Sequence, residues 1–330
     1  MTSSAAHKHL FYMEMAKLLD AGFDIRRAAA VLMDTQLPAP QAAMLKDLNR
    51  GLEAGQSITV AFGRDPQAIT ELERGIIGAG ERGGKLAPAF QHLADYFGML
   101  AAARREIVAG MIYPLVVLHL GIFIGTVPTA LMAGQTLGKI AGSLALALGI
   151  TYVAGFAIFL MLRAILKLAP GNAGIDRMIN RIPWIGKARR SMAMARFCKV
   201  YHACLLAAIP MDETAHLSAE ASRSGTIREA GKKLVRAAKS GDALGPHFIA
   251  ADAFPKAFAR SYTTGEEAGT LDTDLARWSK LFQDEAASAM RMVSVMVPKV
   301  LYFLILGFVA WKIVAFFNGY YSGMLEMIEE

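Results

Sequence analysis

Two cysteines in 330 residues, Cys198 and Cys204, leave no room for a disulfide framework. Their spacing fits neither a zinc pair nor a redox CxxC, so buried, reduced thiols are expected. Charge is scarce: 19% of residues are charged and 54% hydrophobic, against about a quarter and under half in a soluble globular chain. That shortfall excludes an ordinary cytosolic enzyme, while 35 Lys+Arg against 28 Asp+Glu excludes a chain lying wholly in lipid. The hydrophobicity also excludes disorder. No GxxxxGK[ST] run is present to cradle ATP phosphates, and HExxH, CxxC and GxSxG are absent too. No catalytic residue, cofactor or metal ligand is therefore assigned, and the chain reads as non-enzymatic. Strand-like alternation of Val, Ile and Thr is missing; Ala, Leu, Met and Lys dominate outside the apolar runs, which is the pattern of helices.

What the sequence does have is three long apolar stretches. Residues 107–138 and 140–162 carry no formal charge, and each exceeds the roughly 20 residues that cross about 30 Å of hydrocarbon. The third, over residues 292–321, contains Lys299 and Lys312 but is too apolar for a surface helix. Positive residues flank the first two on one side: Arg104 and Arg105 before, Arg163, Lys167, Arg177 and Arg181 after. The short connection between them holds only Lys139, and no Lys or Arg follows Lys312. The positive-inside rule then puts the N-terminus and both hydrophilic segments in the cytoplasm and the C-terminus outside. Met1 to Leu10 lack the apolar core of a signal peptide, so no cleavage is expected. The expected fold is all-α: an integral membrane protein with three transmembrane helices and two homologous cytoplasmic helical bundles. The bundles cover residues 1–105 and, with a linker, 164–290; the spans cover 106–131, 141–163 and 291–318. A hairpin at 132–140 and a tail at 319–330 complete the order. The net charge of +7 needs no nucleic acid, because a basic face beside anionic lipid accounts for it and no basic-plus-aromatic stacking pattern is present.

The two hydrophilic segments also match each other. Leu18-Leu19-Asp20-Ala21 recurs as Leu205-Leu206-Ala207-Ala208, and Gly55 and Phe62 recur as Gly241 and Phe248. Gly80-Glu81, Gly84 and Leu86 recur as Gly265-Glu266, Gly269 and Leu271, and Pro114 near the first span recurs as Pro298 at the third. The offset drifts from 187 to 184 along the chain, and each copy is expected to hold about five or six helices, the last feeding a span. Helix punctuation supports this: a Gly22 stop, an Asp24 start, Pro40 in a first turn, and Asp65-Pro66 as a cap and first residue.

These residues carry a resemblance. The paired Gly-Glu-x-x-Gly-x-Leu motifs, the linker Arg181-Ile182-Pro183-Trp184-Ile185-Gly186-Lys187, the Leu-Leu-x-Ala turns and Tyr113-Pro114 resemble the polytopic inner-membrane platform proteins of type II secretion and type IV pilus systems. Two departures stand out: Ile209-Pro210 replaces the family's usual glycine-containing turn, and the N-terminus lacks the longer leader of secretion members. The resemblance implies a bacterial inner-membrane scaffold, with the hairpin and tail periplasmic. It also implies coupling of a cytoplasmic hexameric ATPase to pilin or pseudopilin subunits. The partners implied are that ATPase, the pilins, other inner-membrane assembly proteins, the lipid bilayer and further copies of the chain, with no direct nucleic-acid contact. Residues 90–103 and 275–290, leading into the first and third spans, are the expected couplers. The alternatives from other classes are an oligomeric transporter or channel component and an enzyme of lipid or peptide chemistry, for which no nucleophile–base pair is found.

Several further features have plain structural readings beside sharper ones. Gly78-Ala79-Gly80-Glu81-Arg82-Gly83 satisfies GxGxxG, but no strand precedes it, and Thr263 and Ala268 replace Gly78 and Gly83 in the second copy. A helix–helix turn is expected instead, its glutamate bonding free amides at the start of the next helix. Glu266, Glu267, Asp272 and Asp274 form an acidic cluster that reads as solvated caps rather than a cation site. No Asp or Glu lies within residues 107–138 or 140–162, which removes paired-aspartate peptidases and most proton-coupled transporters. Lys312, deep in the third span, either snorkels outward or pairs with the glutamate that the family's pilin client carries in its apolar helix. His119 is expected to be a packed, neutral residue, and Gly121 and Gly125 to form a close helix contact within the chain or between copies.

Overall fold

The structure, a computed structural model, describes residues 4–62, 69–132 and 134–329; among these it contains helices and turns and no strand. The Asp65-Pro66 cap lies outside the described residues. In chain order the helices are α1 (Ala5–Asp20), α2 (Ile25–Met33), α3 (Ala39–Glu53), α4 (Ile58–Phe62), α5 (Glu71–Arg82), α6 (Leu86–Met132) and α7 (Leu137–Leu168). A 3-10 turn (Ala169–Gly171) leads to α8 (Ala173–Asn180), α9 (Ile185–Leu206), α10 (Met211–Ser222), α11 (Gly225–Ser240), α12 (Gly245–Ala250), α13 (Lys256–Ala268) and α14 (Leu271–Glu329).

The punctuation acts as its chemistry dictates. Asp24 accepts the Arg27 amide at 2.9 Å and opens α2, while Pro40 sits in the first turn of α3, where its missing N–H has no intrahelical partner to lose. Thr70 and Glu73 form a reciprocal capping box at α5. At the end of α1 the chain turns through Gly22 at φ +86°, and at the end of α9 through Ala208 at φ +51°. The hydrogen bonds match: Phe23 N–H donates to Leu18 O, and Ile209 N–H to Cys204 O, both at 3.0 Å. The turns therefore superimpose Leu18 on Cys204 and Gly22 on Ala208, one position away from the register that the shared Leu-Leu-x-Ala letters suggest. The backbone, not the side-chain letters, sets this register, because the left-handed residue must follow the last helical turn.

The chain divides into two compact units. The first joins residues 1–103 and 168–291 and contains both repeats. Its two cores meet on α9. Val200 and Cys204 on one side of α9, with Ile209 and Ala221 beyond it, are buried in the core of the first repeat. Phe197, Cys198 and Tyr201 on its other side enter an aromatic core with Phe248, Phe258, Tyr262 and Phe282. Both thiols are buried and free, and burial pushes Cys204 up to about 12. Polar contacts cross the same seam: Arg82 forms a two-pronged pair with Glu213 at 3.1 and 2.8 Å, and Arg196 donates to Tyr96 Oη at 3.0 Å.

The second unit covers residues 104–167 and 292–330 and holds the apolar parts of α6, α7 and α14, three helices long and apolar enough to span a bilayer. In it α6 packs on α14 through glycines. A Cβ on Gly110 would come within 2.7 Å of Pro298 Cγ, one on Gly121 would collide with Val309, and one on Gly125 would sit 3.7 Å from Lys312 Cβ. The Gly121–Gly125 pair thus makes a contact within the chain. Helix α7 is mostly exposed, with Ile140 buried. It meets α6 at His119, whose Nδ1–H donates to Leu115 O at 2.6 Å while Nε2 accepts from Tyr152 Oη at 2.7 Å. His119 is therefore exposed and bridging rather than packed in a core, because Tyr152 on α7 offers a hydroxyl and no second layer of helix covers it.

Candidate functional site

The repeated motif is where the two halves agree most closely. At the end of α5, Lys85 N–H donates to Gly80 O at 2.7 Å, and Gly84 takes φ +65°. At the end of α13, Thr270 N–H donates to Gly265 O at 2.8 Å, and Gly269 takes φ +70°. Each is a 6→1 helix stop whose left-handed position suits glycine. The first glycine of each motif lets the following helix approach: a Cβ on Gly80 would lie 2.6 Å from Ala89 Cβ, and one on Gly265 would lie 2.5 Å from Asp274 Oδ2. Leu86 and Leu271 then anchor the starts of α6 and α14 against the two cores.

The glutamates do something other than the expected capping of the next helix. Glu81 accepts from the amides of Ile58 and Thr59 at 2.5 and 3.0 Å and from Thr59 Oγ1 at 2.7 Å. Glu266 accepts from the amides of Leu244 and Gly245 at 2.8 and 2.7 Å. Both therefore cap the short helix upstream, α4 or α12, rather than α6 or α14. The reason is geometric: the 6→1 stop already engages the amides of the turn, so a side chain on the last turn of α5 or α13 is free to reach back across the hairpin. A helix of five or six residues cannot support itself, and its unpaired first amides need such an acceptor.

A size exchange accompanies this. A Cβ on Gly78 of α5 would meet Thr59 Oγ1 of α4 at 3.3 Å, whereas in the second repeat the threonine is Thr263 on α13 and the small residue is Gly245 on α12, where a Cβ would lie 2.6 Å from Thr263 Oγ1. The glycine of the apparent GxGxxG is thus half of a packing pair that the second repeat builds in reverse. The acidic cluster is divided among structural contacts. Glu266 caps α12, Asp274 stands 4.0 Å from Arg277, and among the described residues no group of three or more His, Cys, Asp or Glu is placed to hold a metal ion.

In the membrane unit Pro114 and Pro298 are both buried. Pro114 removes the helical partner of the Gly110 carbonyl, four residues earlier, and Gly110 is also the residue on which Pro298 packs. The two repeat-related prolines thus converge on one glycine. Lys312 runs its stem along Gly125 and holds its ammonium 5.5 Å from the centre of the Trp311 ring.

Two buried carboxylates escaped the sequence reading. Glu73, fully buried, accepts from Lys8 Nζ at 2.7 Å, Tyr12 Oη at 2.5 Å and the Thr70 amide at 2.7 Å, pinning α1 to α5. Burial and then the Glu73 charge push the Tyr12 hydroxyl up, so it remains a donor. The Thr70-x-x-Glu73 spacing was the available signal. Asp176, 1% exposed, accepts from Ser224, Arg189 and Thr226, and so ties α8 to α9 and α11. Burial opposes its ionisation, but the Ser224, Arg189 and Thr226 hydrogen bonds outweigh burial and hold its carboxyl below the usual range.

Comparison with known proteins fits this double architecture. The profile of the family "Type II secretion system (T2SS), protein F" matches twice, over residues 11–134 and 197–318. Type II secretion system protein F of Pseudomonas aeruginosa is 26% identical over 91% of this chain and 79% of its own length. Type 4 fimbrial assembly protein PilC of Pseudomonas putida is 25% identical over 90% and 78%, and type IV pilus assembly protein PilC of Thermus thermophilus is 24% identical over 93% and 79%. With most of both repeats, both motifs and the spans that follow the first and last bundle inside the matched segments, the chain belongs to the type II secretion system protein F family.

Proposed function

We propose that this chain is a non-enzymatic platform of the bacterial inner membrane. It couples a cytoplasmic hexameric assembly ATPase to the polymerisation of pilin or pseudopilin subunits in a type IV pilus or type II secretion machine. One observation carries the reading: each repeat ends in a helix, α6 or α14, that continues without a break into an apolar span. Loops and element ends absorb displacements by changing φ and ψ, whereas a continuous helix passes a push or twist along its axis. The names of the relatives, which speak of secretion and pilus assembly, support the same machine class. Arginines at 104, 105, 163, 177 and 181 support a cytoplasmic location for both repeats and a periplasmic C-terminus. The paired motifs serve this role by stiffening each bundle just before its outgoing helix. Lys312 serves it by offering a cation to the carboxylate of a client's apolar helix.

Co-purification of the full-length chain with an assembly ATPase from the same cells tests the reading. The ATPase is expected to be retained by the wild type and lost with Glu81→Lys or Glu266→Lys. Failure of the wild type to retain it, together with solute flux through vesicles containing the purified chain, would replace the platform by the channel alternative. Lys312→Gln is expected to abolish pilus or pseudopilus assembly while leaving the protein in the membrane; normal assembly removes the role given to that lysine.

A further inference from the structure

A cleft of about 70 Å³ opens where the α5–α6 turn, the start of α6 and the C-terminal half of α9 meet, on the seam between the repeats. Lys85, His92, Lys199 and His202 line it, no carboxylate does, and Pro88 and Leu206 supply apolar wall. Among the described residues none of these four basic side chains makes a hydrogen bond or ion pair. The carboxylates that act on them from outside the cleft are Asp95 on α6, toward Lys199, and Asp272 on α14, toward His202. Asp95 is itself engaged by the Gln91 amide at 2.9 Å.

Such an arrangement is unfavourable as it stands. A half-buried ammonium without a paired anion loses hydration that nothing replaces, and like charges on one wall raise the cost. The groups respond in the way this predicts. Burial lowers Lys199 to about 8, and burial with the Lys199 charge and His202 lowers His92 to about 4. His202 is lowered by burial and by Lys199, against the pull of Asp272, with Lys85 adding to the lowering. Titratable groups perturbed together in a cleft are the pattern of a binding or functional site.

We propose that this cleft binds a small oxyanion, with Lys199 as its charged anchor and His92 and His202 as hydrogen-bond donors. A phosphate or carboxylate group has the required charge. The site lies beside the Gly80–Lys85 turn and joins α6 to α9, so an occupant would tighten the seam between the repeats. This inference does not depend on the platform reading.

Titration of the full chain in nanodiscs with sulfate, whose charge is the same at pH 6 and pH 8, tests it at constant ionic strength, with chloride as the balancing ion. Saturable one-to-one binding is expected, about twofold tighter at pH 6 than at pH 8, because Lys199, lowered to about 8, is almost fully charged at pH 6 and half charged at pH 8. Lys199→Met is expected to weaken binding at least about tenfold, the loss of one charge-assisted hydrogen bond, and Lys199→Arg to keep it. The imidazole signals of His92 and His202 should titrate at higher pH with sulfate present. Acetate that competes with sulfate would identify a carboxylate as an acceptable occupant, and acetate that does not would narrow the site to phosphate-like anions. No saturable binding by the wild type at pH 6, or equal binding by a folded Lys199→Met variant, overturns the assignment.

Discussion

Replacing Glu266 by glutamine leaves size and shape nearly unchanged but removes the charge that holds two amides at the start of α12. The carboxylate accepts from Leu244 and Gly245 at 2.8 and 2.7 Å. A glutamine retains one acceptor oxygen and turns an NH2 donor toward the other amide. Hydrogen bonds to a charged group contribute about 1.5–3 kcal/mol each and neutral ones about 1 kcal/mol, so losing one and weakening the other costs about 3 kcal/mol. For a unit of this size that corresponds to a fall in apparent melting temperature of roughly 6–12 °C, at about 2–4 °C per kcal/mol. The control is next door. Glu267 is exposed and makes no hydrogen bond or ion pair among the described residues, so Glu267→Gln should change stability by less than about 0.5 kcal/mol. Scanning fluorimetry in detergent compares the two variants, and hydrogen exchange locates the damage, which should appear first as faster exchange at the Leu244 and Gly245 amides. If the neighbouring substitutions melt within a degree or two of each other, the capping argument fails for both repeats.

Ala208 holds φ +51° where the first repeat has Gly22, so Ala208→Gly should raise the melting temperature, by the equivalent of about 1 kcal/mol of relieved left-handed strain. A fall in melting temperature would contradict that geometry. Cysteines at positions 125 and 312 should oxidise to an intramolecular disulfide, since the Cβ separation of 3.7 Å lies in the normal bridging range; no cross-link on a non-reducing gel would reject the α6–α14 contact. The Asp176 carboxyl is held below its usual pKa in the folded state, so the stability it contributes is present above about pH 4 and lost as pH falls through the folded value. Asp176→Asn should therefore melt well below the wild type at pH 7, with the gap closing on acidification. A gap that is constant with pH would show that the ionised carboxylate is not what matters.

The sequence by itself determined the class of this molecule. Uncharged runs of spanning length need lipid wherever they sit, and helix stops such as Gly22 and Gly84 follow from backbone sterics that neighbouring helices do not alter. The repeat was legible because the same turns demand the same residue types twice. What required tertiary structure were choices between partners at similar distance along the chain. Glu81 could have capped the helix after it or the one before, and the hairpin geometry selected the latter. Gly121 and Gly125 could have packed on any small-faced helix, and Val309 and Lys312 on α14 fill that place. Apart from the Thr70-x-x-Glu73 spacing, nothing in the sequence sets Glu73 and Asp176 apart from surface acids; donors from other helices close around them, and α5, α6 and α9 bring Lys85, His92, Lys199 and His202 to one cleft. Periodicity and turn chemistry act over a few residues and are written locally; hydrogen-bond partners and shared cavities depend on distances in space, which only the packed chain sets.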